Sequence, residues 1–83
     1  MYYVYILQCA DKSLYTGITN DLENRLKKHK EGSASLYTRA KRAVKILYTE
    51  QHQSRSAASK REAEIKRWSR QKKLKLIRFG RMQ

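Results

Sequence analysis

The stretch Leu14–Gly32, LYTGITNDLENRLKKHKEG, decides the fold. Its first six residues are aliphatic, aromatic or β-branched around a single glycine, which is the composition of a short strand. Asn20 and Glu23 follow, three apart in the form of a capping box, and Asp21 and Glu23 both suit the positive end of a helix dipole. A helix is therefore expected from about Asp21, with Leu22 and Leu26 one turn apart toward the core and Gly32 closing it in the left-handed conformation. The same helix carries Arg25 and His29 at i and i+4, on one face.

Upstream, YYVYILQC (2–9) alternates Tyr2, Val4, Ile6 with Tyr3, Tyr5, Leu7, so both sides of that strand call for cover. ADKS supplies a polar turn and makes the two strands a hairpin. Downstream, SASLYTRAKRA reads as a polar, basic loop and VKILYTEQ as a third strand. From Ser54 the period becomes helical, with Ala57, Ala58, Arg61, Ile65 and Trp68 on one stripe. KKLKLIRFG continues as a short last helix whose Leu74 and Ile77 return to the core. The order β-β-α-β-α-α predicts an α+β fold, a small three-stranded antiparallel sheet flanked by helices, in one domain over residues 1–83.

Twenty Lys and Arg against seven Asp and Glu give a net charge of +13, which points to an anionic polymer as partner. The cations are spread along the chain rather than gathered on one amphipathic segment, so a membrane surface fits poorly and nucleic acid leads. No apolar run approaches the roughly 20 residues of a membrane span, and MYYVYILQCADK lacks the basic start and apolar centre of a signal peptide. A soluble, unprocessed chain is expected. The single cysteine, Cys9, excludes an internal disulfide and a multi-cysteine zinc site and suits a reducing cytoplasm.

Taken singly, the polar and aromatic features have plain structural readings. Tyr5 and Tyr15 can be cross-strand packing, and Arg25 with His29 a solvated helix face. Together they form an ordered set: two tyrosines from a hairpin, Arg25 ten residues after the second, His29 one turn on, and a carboxylate on a later helix. Such a set can do phosphodiester chemistry. Glu62 and Glu64 both lie roughly 80° from the centre of the apolar stripe, so helical period alone does not choose between them.

These residues resemble the GIY-YIG nuclease superfamily. The first motif stands here as Tyr3-Val4-Tyr5 and the second as Tyr15-Thr16-Gly17, followed by the helix arginine at Arg25 and the histidine at His29. Within the superfamily the likeness is to small stand-alone bacterial proteins, carried by LYTGITNDLENRLKKH, YTRAKRAVKILYTE and REAEIKRWSRQKK across nearly the whole chain. Tyr3 occupies the place of a glycine found in many members. Many members also carry an asparagine near the domain's end, whereas this chain has none after Asn24, and Gln71 is the substitute considered.

The resemblance implies a metal-dependent endonuclease. It selects Glu62, three residues before the Ile65-Lys66 step, as ligand of one Mg²⁺ or Mn²⁺, and leaves Glu64 at the surface beside Lys60 or Trp68. Glu62 otherwise forms an i,i+4 ion pair with Lys66. Arg25 would grip a phosphate through two N–H groups. Tyr5 is the first choice of base, its phenolate favoured by Arg25, the metal and the basic surroundings, with Tyr15 orienting water or exchanging roles with it. His29 would accept a proton or hydrogen-bond phosphate, or simply cap the negative end of its helix. Gly17 would let backbone approach the site as the strand ends. Lys27, Lys28, Arg39, Lys41, Arg42, Lys60, Lys66, Arg67 and Arg70 would contact backbone phosphates without reading sequence, and Tyr37 would stack on a base.

DNA is favoured over RNA, with structure-selective or weakly selective cutting in repair, recombination or nucleic-acid processing. A monomer is expected, pairing transiently on substrate if two strands are cut. Two other readings remain: a non-catalytic nucleic-acid-binding domain on the same fold, and a small basic protein of structured RNA or a ribonucleoprotein. Neither needs affinity for a divalent metal at Glu62.

Overall fold

Tyr2–Cys9 forms β1 and Leu14–Thr19 forms β2 in the computed structural model, which describes residues 1–80. The strands pair antiparallel, with Tyr5 opposite Gly17 and Leu7 opposite Tyr15. Three residues turn the chain between them: the Cys9 N–H donates to Ser13 O at 2.9 Å, the Lys12 N–H donates to Cys9 O, and Lys12 takes a left-handed φ of 72°. This is a type I turn followed by a left-handed residue, a common short hairpin closure. Asp11 fastens it by accepting from both the backbone and the hydroxyl of Ser13. β3, Ala43–His52, pairs antiparallel with the other edge of β1, giving the order β2-β1-β3. β1 is thus central, with both of its hydrogen-bonding edges paired.

Four helices accompany the sheet: α1 (Leu22–Glu31), α2 (Leu36–Lys41), α3 (Arg55–Lys66) and α4 (Arg70–Phe79). The expected α+β architecture is present with one addition, since the segment read as a loop contains α2. Ser35 caps it, accepting from the Tyr37 N–H at 3.1 Å, but six residues are too few to show a hydrophobic period. α1 differs at its start. Its cap is Asp21, which accepts from the Asn24 N–H at 3.2 Å, and the Asn20/Glu23 box does not form. Thr19 Oγ1 accepts from the Asp21 N–H and sets that register. Gly32 closes α1 at φ 80°, as expected.

On one side of the sheet Val4, Ile6 and Tyr48 pack with Ala58 and Ile65 of α3, bordered by Tyr2, Leu14, Ile18, Trp68, Leu76 and Ile77. The α3 stripe is narrower than its sequence suggests: Ala57 is exposed, and Trp68 reaches the core from beyond the helix end. Leu76 joins Ile77 at the core in place of Leu74, which is exposed. On the other side, with Tyr5 and Leu7, the one fully buried residue of α1 is His29, while Leu22 and Leu26 are only half-buried. α1 therefore meets the sheet through a histidine.

A polar cluster ties α3 to β3. Glu50 accepts from the Tyr48 hydroxyl at 2.5 Å and from Arg61 Nε at 2.8 Å, and lies 2.8 Å from His52 Nε2. Burial opposes the Glu50 charge, but the bonds from Tyr48, His52 and Arg61 outweigh it and hold the carboxyl below its ordinary range. The Tyr48 phenol is pushed up to about 12 by burial and by Glu50. Arg61 also pairs with Glu64 and lies over Trp68, so the partner of Glu64 is Arg61 rather than Lys60 or Trp68. Among the described residues no helix is long and apolar enough to cross a membrane.

Candidate active site

The hairpin register puts Tyr5 directly across from Gly17. A Cβ at position 17 would stand 2.5 Å from the Tyr5 hydroxyl oxygen and 2.7 Å from Cζ, so the glycine is what leaves room for the ring. Gly17 does this from within β2, not as the strand ends.

α1 brings His29 over that ring, with Nε2 2.6 Å from the Tyr5 oxygen. The other nitrogen, Nδ1, lies 2.7 Å from Thr38 Oγ1, and the Thr38 hydroxyl donates to Ser35 O at 3.3 Å. With the Thr38 proton assigned to the Ser35 carbonyl, Oγ1 accepts from Nδ1–H and Nε2 accepts from the Tyr5 hydroxyl. Burial and then the Arg25 charge lower the His29 pKa, which keeps this imidazole neutral.

Burial raises the Tyr5 pKa well above the usual tyrosine value; the Tyr15 and Glu62 charges add to the rise and Arg25 only partly offsets it. Among the protein's own groups desolvation outweighs the one nearby cation, so they favour phenol at neutral pH.

Tyr15 lies with its ring 5.1 Å from His29 and 6.5 Å from Tyr5. Tyr37 of α2 stacks on Tyr15 at 5.8 Å while keeping 41% of its surface exposed, and Lys66 Nζ stands 5.9 Å from the Tyr15 ring. Arg25 and Glu62 are both close enough for their charges to act on Tyr5. Glu62 forms the i,i+4 pair with Lys66, at a loose 3.4 Å. Thr38 was missed by sequence reasoning, since its place depends on the short helix α2.

Among the described residues no three His, Cys, Asp or Glu side chains converge to cage a metal. The donor chemistry still suits a hard cation. The Glu62 side chain keeps 22% of its surface exposed, its only ion-pair partner among the described residues is a distant lysine, and Mg²⁺ or Mn²⁺ with one protein carboxylate takes its other oxygens from water and phosphate.

The expected phosphate contacts Lys27, Lys28, Arg39, Arg42, Lys60, Lys66, Arg67 and Arg70 are all exposed. Lys41 differs, being paired with Asp11 at 2.9 Å. Of the motif residues, Tyr3 is half-buried opposite Thr19, and Val4 belongs to the core. Gln71 is exposed in the first turn of α4, outside the hydrogen-bonded chain around Tyr5.

A family model described as the GIY-YIG catalytic domain matches residues 1–75. The chain belongs to the GIY-YIG family. A UPF0213 protein of Staphylococcus saprophyticus is 51% identical over 79 residues, spanning 95% of this chain and 96% of that protein. A UPF0213 protein of Staphylococcus aureus is 47% identical over 77 residues, spanning 93% and 94%. The solution NMR structure of a UPF0213 protein from Bacillus halodurans aligns with a TM-score of 0.61 at 41% identity, over 95% of this chain and 85% of that one. In this GIY-YIG domain the last residue of the first motif, Tyr5, faces the last residue of the second, Gly17, so the two motifs are the two halves of one packing arrangement.

Proposed function

We propose that this chain is a metal-dependent endonuclease, one GIY-YIG domain over residues 1–83, that hydrolyses phosphodiester bonds in DNA with structure-selective or weak selectivity. The observation that carries the reading is the buried chain Tyr5–His29–Thr38 beside Arg25 and Glu62, in a protein of charge +13. That chain sets a phenol proton against an imidazole nitrogen that can take it, which general-base chemistry needs and backbone binding does not.

Hydrolysis needs water deprotonated and the phosphate charge offset. The Tyr5 oxygen takes a proton from the attacking water while its own hydroxyl proton passes to His29 Nε2. His29 becomes an imidazolium with Nδ1–H still bonded to Thr38, so no free Tyr5 phenolate has to form before the transfer. Arg25 holds the phosphate oxygens in a bidentate grip. Glu62 would hold Mg²⁺ or Mn²⁺, which would supply positive charge to offset that of the phosphate. Tyr15, packed on His29, orients the water or the Tyr5 ring.

The exposed cations, including Lys66, supply salt-dependent affinity along the backbone, Lys41 only through the general field, and Tyr37 offers its exposed side to a base. The reading includes a cytoplasmic monomer that pairs, if at all, on substrate. The Glu62–Lys66 pair and the lack of asparagine after Asn24 favour a second reading, a non-catalytic binding domain on the same fold.

The test is cleavage of fluorescent single-stranded, duplex, nicked, flap and branched DNA and one structured RNA, at low salt with Mg²⁺ or Mn²⁺, by wild type and Glu62→Gln. Metal-dependent cutting that falls by about 100-fold or more in the variant, with binding retained, supports the nuclease. Binding by both proteins with no cutting of any substrate selects the binding domain.

A further inference from the structure

One end of the sheet holds a cationic pocket. There β2 hands over to α1 and β3 hands over to α3, with Tyr3 paired to Thr19 and Tyr2 paired to His52. Between them lies a cavity of about 230 Å³ lined by Tyr2, Ile18, Thr19, Asn20, Arg25 and Arg55. It is smaller than the pockets that enclose whole small molecules, roughly 300 Å³ and upward, and its lining offers two guanidiniums, a side-chain amide and a phenol without any carboxylate.

Arg55 is oddly placed for a helix. It is the first residue of α3, where a positive charge opposes the dipole, and no acidic residue in that turn compensates it. Ser54 Oγ accepts from the Ala57 N–H at 3.1 Å and fixes the backbone on which Arg55 sits. Among the described residues Arg55 and Arg25 enter no ion pair, whereas Arg61 on the same helix is held by both Glu50 and Glu64. Arg55 thus has no ion-pair partner among the described residues and lines the same pocket as the equally unpaired Arg25.

We propose that this pocket binds the backbone phosphate next to the one that is cut, with Arg55 as its bidentate partner and Arg25 as the wall shared with the reaction site. The inference rests on the nuclease reading for its neighbour, but the pocket itself is a phosphate site of Arg55. It gives the substrate strand a direction, from the Tyr5–His29 centre past Arg25 toward the start of α3. A planar guanidinium there suits a phosphodiester, which it can meet with two parallel N–H bonds.

Metal-free titrations test it. Inorganic phosphate and thymidine 3′,5′-bisphosphate are added to ¹⁵N-labelled full chain, and duplex binding is followed against salt in EDTA, for wild type and Arg55→Gln. Arg55 is exposed, so Arg55→Gln is expected to fold as wild type does, which its ¹⁵N spectrum checks. Expected are shifts at the Thr19, Asn20 and Arg55 amides in wild type with both probes, affinity for the bisphosphate at least about five-fold weaker in the variant, and a salt slope lower by about 1. Absence of those shifts, or an unchanged slope in Arg55→Gln, overturns the pocket whether or not the chain cuts DNA. Filling of the pocket by a chain that cuts no substrate retires the nuclease reading and leaves the phosphate site standing.

Discussion

The Tyr5 hydroxyl reaches His29 Nε2 at 2.6 Å across ground that Gly17, its partner in the neighbouring strand, leaves empty. The relationship is steric before it is chemical. A methyl at position 17 would meet the phenol at 2.5 Å, and because the two residues are paired directly across the hairpin, the ring or the strands must shift. Gly17→Ala is expected to destabilise the fold by about 1–3 kcal/mol through overpacking and to break the Tyr5–His29 bond. Urea unfolding measures the first effect, and an NMR titration in which the His29 pKa moves back toward its ordinary value measures the second. An unchanged urea midpoint would mean that the ring has room elsewhere.

Thr38 holds the imidazole in one tautomer, and the effect of losing it should be visible in both stability and rate. Thr38→Val preserves shape but strips the acceptor from a buried His29 N–H. The expected cost is about 1–3 kcal/mol, the desolvation penalty of an unpaired buried donor. Cleavage should fall about 10-fold or more with DNA binding unchanged, and Thr38→Ser should restore both. If the serine behaves like the valine, packing of the threonine methyl and not the hydrogen bond is what matters.

His29 makes stability depend on pH in a defined direction. Burial and Arg25 lower its pKa in the fold, so it binds its proton at lower pH than in the unfolded chain, where the value is about 6.5. The stabilisation is complete above that unfolded value and declines as the pH falls toward the lowered one. Wild type should therefore lose more stability between pH 7.5 and 5 than His29→Gln, whose amide cannot titrate. His52 and Glu50 are common to both proteins and cancel in the difference. Parallel losses in urea would show that His29 titrates as if it were exposed.

The strands were legible because side chains alternate along them, and α1 because a cap, an acidic start and a closing glycine bound it. Tyr5, Tyr15, Arg25, His29 and Glu62 could be singled out from their order, and the fold brings the first, second and fourth into contact. What did not show was whatever depends on which element covers which face. Leu22 and Leu26 carry a helical period, but the sheet beneath α1 presents a phenol, and a histidine meets it better than a leucine does. Thr38 needed α2, a helix too short to announce itself except through Ser35. The Glu50 cluster did leave a trace, since Tyr48, Glu50 and His52 are spaced by two on a strand and so share a face; the period was there, but it was polar and pointed inward.

Thr16 supplies a stabilising change that leaves the Tyr5 site untouched. It is 3% exposed in β2, opposite Ile6 on the α3 side of the sheet, and its hydroxyl has no hydrogen-bond partner among the described residues. A buried hydroxyl without a partner costs about 1–3 kcal/mol by protein mutational measures, and valine has the same branched shape and favours strands. Thr16→Val is expected to raise stability by about 1 kcal/mol, a rise in melting temperature of roughly 4–8 °C for a chain of this size. Tyr15 and Gly17 on either side face the opposite way, so the Tyr5–His29 bond should survive and cleavage should stay within about two-fold of wild type. Thermal unfolding decides the matter, because a lower melting temperature would mean that the Thr16 hydroxyl is satisfied after all, by a water held between β2 and α3.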